Sequence, residues 1–141
     1  MFEGVYDMSK YAEKAAELRA IVEPHYNCGQ STAIPFAEDG GVGEETMRAL
    51  CANFGAGLKR KSTCGALVGG VTVLGLYGVN DQETIDEYYK VFADNHGGML
   101  DCGELVADNE AKGNVQKPFC DGLVDESVRL VEKILKDRGL I

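Results

Sequence analysis

An all-helical, single-domain bundle of about five to six helices is the fold that three features of the chain predict. Apolar residues recur at helical spacing along most of the sequence, no segment alternates convincingly with the period of two that a half-buried strand needs, and no linker, repeat or low-complexity run divides residues 1–141. With 141 residues, 45% of them hydrophobic, the chain can build one core without disulfide or metal staples.

Tyr11, Ala15, Leu18 and Val22 are spaced for one face of a first helix, which stops or kinks near Pro24 because proline disfavours helical geometry in the residue before it. A second, short segment follows Asn27; within it Pro35 belongs either in a first helical turn or in a loop. Beyond the turn Gly40-Gly41-Val42-Gly43, the residues Met47, Leu50, Cys51 and Phe54 form an i, i+3, i+4, i+7 stripe, which predicts a helix ending at Gly55 or Gly57. Ser62 or Thr63 is expected to cap an apolar helix from Cys64 to about Tyr77. Its Gly65, Ala66, Gly69 and Gly70 suit close helix packing, although Val71-Thr72-Val73-Leu74 offers a strand as the alternative. Asn80 or Asp81 can start the next helix, with Ile85, Tyr88, Tyr89 and Phe92 on one face and Asn95-His96-Gly97-Gly98 as its stop. A short turn of helix after Asp101 and a long helix from about Pro118, carrying Val124, Val128, Val131 and Leu135 inward to a stop at Gly139, complete the reading.

Fourteen basic against 23 acidic residues leave a formal charge of −9, a field that repels phosphate backbones and anionic lipid surfaces. Neither nucleic acid nor a membrane is expected as a partner. The most apolar stretch, Ala66 to Tyr77, falls short of the roughly 20 residues a membrane helix needs, and the first residues lack the pattern of a secretory signal. A cytoplasmic location follows as the expectation. There, five cysteines are not presumed to form a disulfide framework, and an odd number leaves one thiol unpaired in a monomer; a homodimer is possible, and the redox partner is unknown. Neither a Gly-x-Gly-x-x-Gly turn after a strand nor a phosphate-binding Gly-Lys-Ser/Thr loop occurs, so no nucleotide is suggested.

The chemistry lies in the cysteines. Cys28, Cys64, Cys102 and Cys120 each follow a residue able to start a helix, namely Asn27, Thr63, Asp101 and Pro118. The free N–H groups and positive dipole of a helix start favour a thiolate, which is both the nucleophile of disulfide exchange and the ligand form for iron or zinc. Lys59, Arg60 and Lys61 precede Cys64, which makes it the expected reactive thiol, while Gly65 and Ala66 open the backbone to a cofactor or another sulfur. Cys51, inside an apolar stripe, reads as a small core residue. His25 precedes Cys28 by three residues, but Pro24 and Asn27 make that stretch a turn rather than a mixed Cys/His site; His96 reads as a helix-terminal residue. With no Cys-x-x-Cys pair and no ferredoxin-like ligand run, any four-cysteine site is assembled from distant parts of the chain.

The order Cys28, Gly55-Ala56-Gly57, Thr63-Cys64-Gly65-Ala66-Leu67-Val68-Gly69, Cys102-Gly103-Glu104-Leu105, Cys120 resembles the redox-active family named for its C_GCAxxG_C_C pattern, over about residues 27 to 132. The local order here is Cys-Gly-Ala where the name writes Gly-Cys-Ala. The resemblance implies a cysteine-based redox role, with Cys28, Cys64, Cys102 and Cys120 as the functional set and Cys51 outside it. Three functions are then expected in order: an electron-transfer protein whose four thiolates, with Gly65 beside them, hold an iron–sulfur cluster, [2Fe–2S] before [4Fe–4S]; a thiol–disulfide protein with Cys64 reactive; and a non-catalytic helical interaction module.

Overall fold

A computed structural model describes residues 9–141, which contain seven α-helices, one irregular turn and no strand. The helices are α1 (Lys10–Ala20), α2 (Cys28–Ala37), α3 (Glu44–Leu50), α4 (Gly65–Leu76), α5 (Gln82–Asp94), α6 (Cys102–Ala111) and α7 (Gln116–Asp137). The class is as predicted; the number is higher, because the short segments before α4 and after Asp101 each close as helices of their own. Among the described residues no helix is long and apolar enough to cross a membrane.

Ser9 caps α1 by accepting from the Ala12 N–H (3.1 Å), and Tyr11, Ala12, Ala15 and Leu18 face inward. The helix stops at Ala20, so Val22, predicted to share that face, is instead 86% exposed on the turn beyond it. At α2 the Asn27 side chain accepts from Gln30 N–H (2.7 Å) and the Gln30 side chain accepts from Asn27 N–H (2.9 Å), a reciprocal cap that satisfies two otherwise unpaired donors. Pro35 sits inside α2, neither in its first turn nor in a loop; eight of its ten residues are buried, and that burial outweighs the missing hydrogen bond.

The stripe at Met47 is cut short. α3 ends at Leu50, since the Asn27 side-chain amide donates to the carbonyls of Cys51 (3.1 Å) and Ala52 (3.2 Å) and so takes up acceptors at the helix end. Cys51 is fully buried against Met47, sulfur to sulfur 3.8 Å, whereas Leu50 points to solvent.

At the centre of the packing, α4 lies between α2 and α7, and its glycines make the approach possible. A methyl group at Gly69 would fall 2.6 Å from the Gly29 carbonyl oxygen, and one at Gly65 2.4 Å from that of Phe54. Val71 to Leu74 are helical, so the strand alternative is not realised. Asp81 caps α5 by accepting from Thr84 N–H (3.0 Å), and Tyr88 and Phe92 are buried with Ile85 and Tyr89 half-buried beside them. Val124, Val128, Val131 and Leu135 of α7 are all fully buried, as the spacing predicts. His96 ends α5 with its ring on Phe92 (4.6 Å between centroids) and its Nε2 2.7 Å from Glu126 Oε1.

Candidate functional site: a thiol cluster where helix starts converge

Cys28 is the first residue of α2 and Cys102 the first of α6, while Cys64 itself occupies the capping position of α4. Neither Ser62 nor Thr63 caps that helix: the Ser62 hydroxyl donates to the Gly57 carbonyl (3.0 Å), and Thr63 pairs antiparallel with Asp101. Cys120 departs from its predicted place. Because α7 begins at Gln116, ahead of Pro118, Cys120 is its fifth residue, one turn inside the helix.

Pairing across the chain gathers these positions. The strand-like bridge between Thr63 and Asp101, with Cys64 N–H donating to the Leu100 carbonyl (2.9 Å) and Cys102 N–H to that of Ser62 (2.6 Å), sets Cys64 and Cys102 on neighbouring backbones. Gly65 brings α4 against α2, where a methyl group would lie 3.4 Å from Cys28 Cβ; at Gly57 it would lie 2.6 Å from Cys102 Cβ. Upstream, residues 56–61 form a turn in which Ala56, Leu58, Lys59 and Lys61 as well as Gly57 have positive φ. Non-glycine residues in that region are strained, and the turn is held by Ser62 N–H donating to the Gly57 carbonyl (2.9 Å).

A cleft of about 850 Å³ opens here, with Cys28, Cys102 and Cys120 in its wall beside Arg19 and Asn27. Cys64 lies behind it, 4% exposed. The sulfurs are close enough to act on one another electrostatically: Cys28 on Cys64, Cys102 and Cys120, Cys102 on Cys64, and Cys64 on Cys120.

The four thiols differ in their ionisation. The neighbouring Cys120 thiol holds Cys28 below the ordinary thiol value, and the Arg19 guanidinium adds to this against the opposing effect of burial. Cys120 is pushed in the other direction by Cys28 and by burial. Burial raises Cys102, with Lys61 opposing it. Cys64 was expected to be the most acidic thiol, yet burial pushes it up to about 12 and outweighs the opposing pull of the Ala66 and Leu67 N–H groups. The favourable thiolate site belongs to Cys28. Cys51, buried outside the cluster, is likewise pushed up to about 11.

Arg19 and Asp121 carry no local signal in the sequence. Arg19 Nε donates to Asp121 Oδ1 at 2.7 Å and Nη1 to the Tyr26 carbonyl at 3.1 Å, which fixes a largely buried guanidinium beside Cys28. Only the packing of α1 on α7 brings them together. His25 is exposed at the rim of the same cleft, and His96 lines a different cavity with Asn109 and Phe119.

Four thiols are a suitable donor set for iron. Among the described residues no three His, Cys, Asp or Glu side chains are placed to hold a metal ion. No curated protein and no solved structure matches the chain. Residues 26–134, which contain all four cysteines of the cluster, match the family described as "Putative redox-active protein (C_GCAxxG_C_C)", and the chain belongs to that family.

Proposed function

We propose that the protein is a thiol–disulfide redox protein in which Cys28 attacks and Cys120 resolves. What supports this reading is the placing of Cys28 and Cys120 together in the wall of one open cleft, with Arg19 alongside and acting on both. A thiolate near neutrality is the form that attacks a disulfide, and a thiol of pKa close to ambient pH combines ionisation with nucleophilicity. The Cys28 thiolate attacks one sulfur of an acceptor disulfide, forming a mixed disulfide and expelling the other half as a thiolate. Cys120, having lost its proton to that leaving group or to solvent, then attacks Cys28 sulfur. The Cys28–Cys120 disulfide forms, the second half leaves, and two electrons have passed from the protein to the acceptor, released as two thiols. Compared with the sequence-based expectation, Cys64 moves from attacking thiol to a buried member of the cluster.

Thiol counting and peptide mapping test the pairing. Mild oxidation of the reduced protein should remove two free thiols and yield a peptide pair joined through Cys28 and Cys120. Retention of five thiols, or a bond between any other two cysteines only, overturns it.

An iron–sulfur cluster on Cys28, Cys64, Cys102 and Cys120, [2Fe–2S] before [4Fe–4S], is the second reading. Its support is the convergence of four thiols, three of them at helix starts whose N–H groups offset thiolate charge. It requires the sulfurs to move closer to a common centre and Cys64 to ionise on binding. Stoichiometric iron with visible absorbance in protein purified without oxygen would favour it; colourless, iron-free protein after anaerobic reconstitution would count against it.

A further inference from the structure

The cleft wall is at odds with the charge of the molecule. In a chain of formal charge −9 it presents Arg19, Lys59 and Lys117 and no carboxylate. Asp121, just outside, pairs with Arg19 and Lys117 (Lys117 Nζ to Oδ2, 3.1 Å) and offsets part of their charge. Lys59, carried by the left-handed turn, forms no ion pair among the described residues. Beside His25, Asn27 and Gln116, the rim offers an apolar edge: Ile21 and Val22 are exposed there, on the turn after α1. At about 850 Å³ the cleft has the size of small-molecule sites rather than of a protein-docking face.

We infer that the acceptor taken by this cleft is a small aliphatic disulfide bearing carboxylates, its anionic ends met by Lys59 and Lys117 and its carbon chain by Ile21 and Val22. This rests on the exchange reading above and adds the substrate class to it. An anionic ligand approaching the rest of the surface meets like charge, so the cleft is where attraction and reactive sulfur coincide. The reaction is the balanced one already described: two protein thiols become one disulfide while the acceptor disulfide becomes two carboxylate-bearing thiols.

Three aliphatic disulfides of similar length separate charge from shape: dithiodipropionate (anionic), hydroxyethyl disulfide (neutral) and cystamine (cationic). Loss of the Cys28 thiol in the reduced full chain is timed with each, and every rate is divided by that of free mercaptoethanol under the same conditions, which removes intrinsic differences between leaving groups. The expected order is anionic, neutral, cationic, with the first ahead of the second by about tenfold at low salt and by less as salt is added. Lys59→Gln with Lys117→Gln should abolish most of this preference, and Lys133→Gln, on the distant part of α7, should retain it. Equal normalised rates, or a preference for cystamine, overturn the inference.

Octanedioate, which replaces the two sulfurs of dithiodipropionate by carbons and cannot react, gives an independent readout by calorimetry. Binding to wild type that weakens in the double lysine variant upholds the site even if no disulfide reacts, in which case the exchange reading falls alone. Exchange with no order of charge and no octanedioate binding leaves exchange standing and removes this inference.

Discussion

At the scale of single residues, the cluster shows how burial and pairing compete to set a thiol's acidity. Both Cys28 and Cys64 stand at helix starts, yet one is held below the ordinary thiol value and the other pushed up to about 12. The first has the Cys120 thiol and a guanidinium nearby; the second has a dry environment that two backbone N–H groups do not offset. Cys28 is thus more ionised at neutral pH than a thiol at the ordinary 9.0, which would be about 1% ionised. Alkylation rates against pH, resolved for each cysteine by mass spectrometry, should therefore give Cys28 the lowest midpoint and leave Cys64 nearly inert through pH 9. Cys120→Ala removes the main influence that lowers Cys28, whose midpoint should rise toward 9.0; Arg19→Gln should raise it by less. A Cys28 midpoint that starts at the ordinary value, or ignores Cys120→Ala, contradicts the assignment.

Among the elements, close approach of helices rather than capping positions the sulfurs. Gly65 lets the start of α4 touch both the Phe54 carbonyl and Cys28, while the strained turn 56–61 lets Gly57 sit under Cys102. A side chain at Gly65 has backbone in its way, and backbone cannot swing aside as a flexible side chain can. Gly65→Ala should thus cost about 1–3 kcal/mol in urea unfolding and slow formation of the Cys28–Cys120 bond. The contrasting case is Gly122, on the solvent side of α7 with nothing near the position of its missing methyl. Here Gly122→Ala should stabilise by about 0.5–1 kcal/mol, through reduced freedom of the unfolded chain. Equal effects at the two sites would mean that α4 does not need its glycine for packing.

The whole molecule carries the consequence of burying thiols. Cys51 and Cys64 titrate at about 11 and about 12 when folded, against an ordinary 9.0. Above pH 9 the unfolded chain sheds these protons while the folded one keeps them, so the unfolded state binds fewer and stability falls as pH rises, by at most about 1.4 kcal/mol per pH unit for each thiol. Cys28, whose value is lowered, works in the opposite sense, its contribution being present above the ordinary thiol value and lost as pH falls below it, while its raised partner Cys120 adds to the alkaline loss. Urea midpoints should accordingly hold or rise toward pH 9 and then decline. Cys51→Ala, by leaving a small void beside Met47, should cost about 1 kcal/mol at neutral pH but show a shallower alkaline decline than wild type. An unchanged alkaline slope would mean that Cys51 is not the buried thiol described.

The sequence by itself determined the helical class, the inward faces of α5 and α7, the need for glycine along α4 and the set of four cysteines, because these depend on spacing within one helix or on residues beside the turn they form. Asp81, Asn27 and the Val124 to Leu135 row were legible for that reason. The end of α3 was not, since the amide that stops it comes from Asn27, more than twenty residues away. Nor was the exposure of Val22 and Leu50, set by where α1 and α3 end. Which thiol ionises was decided only by the tertiary structure. The basic run before Cys64 is close in sequence, but desolvation depends on what packs around a sulfur, and the groups acting on Cys28 arrive from α1 and α7 across the fold. Local sequence therefore carried the list of sulfurs, and packing set how differently each is buried and what lies beside it.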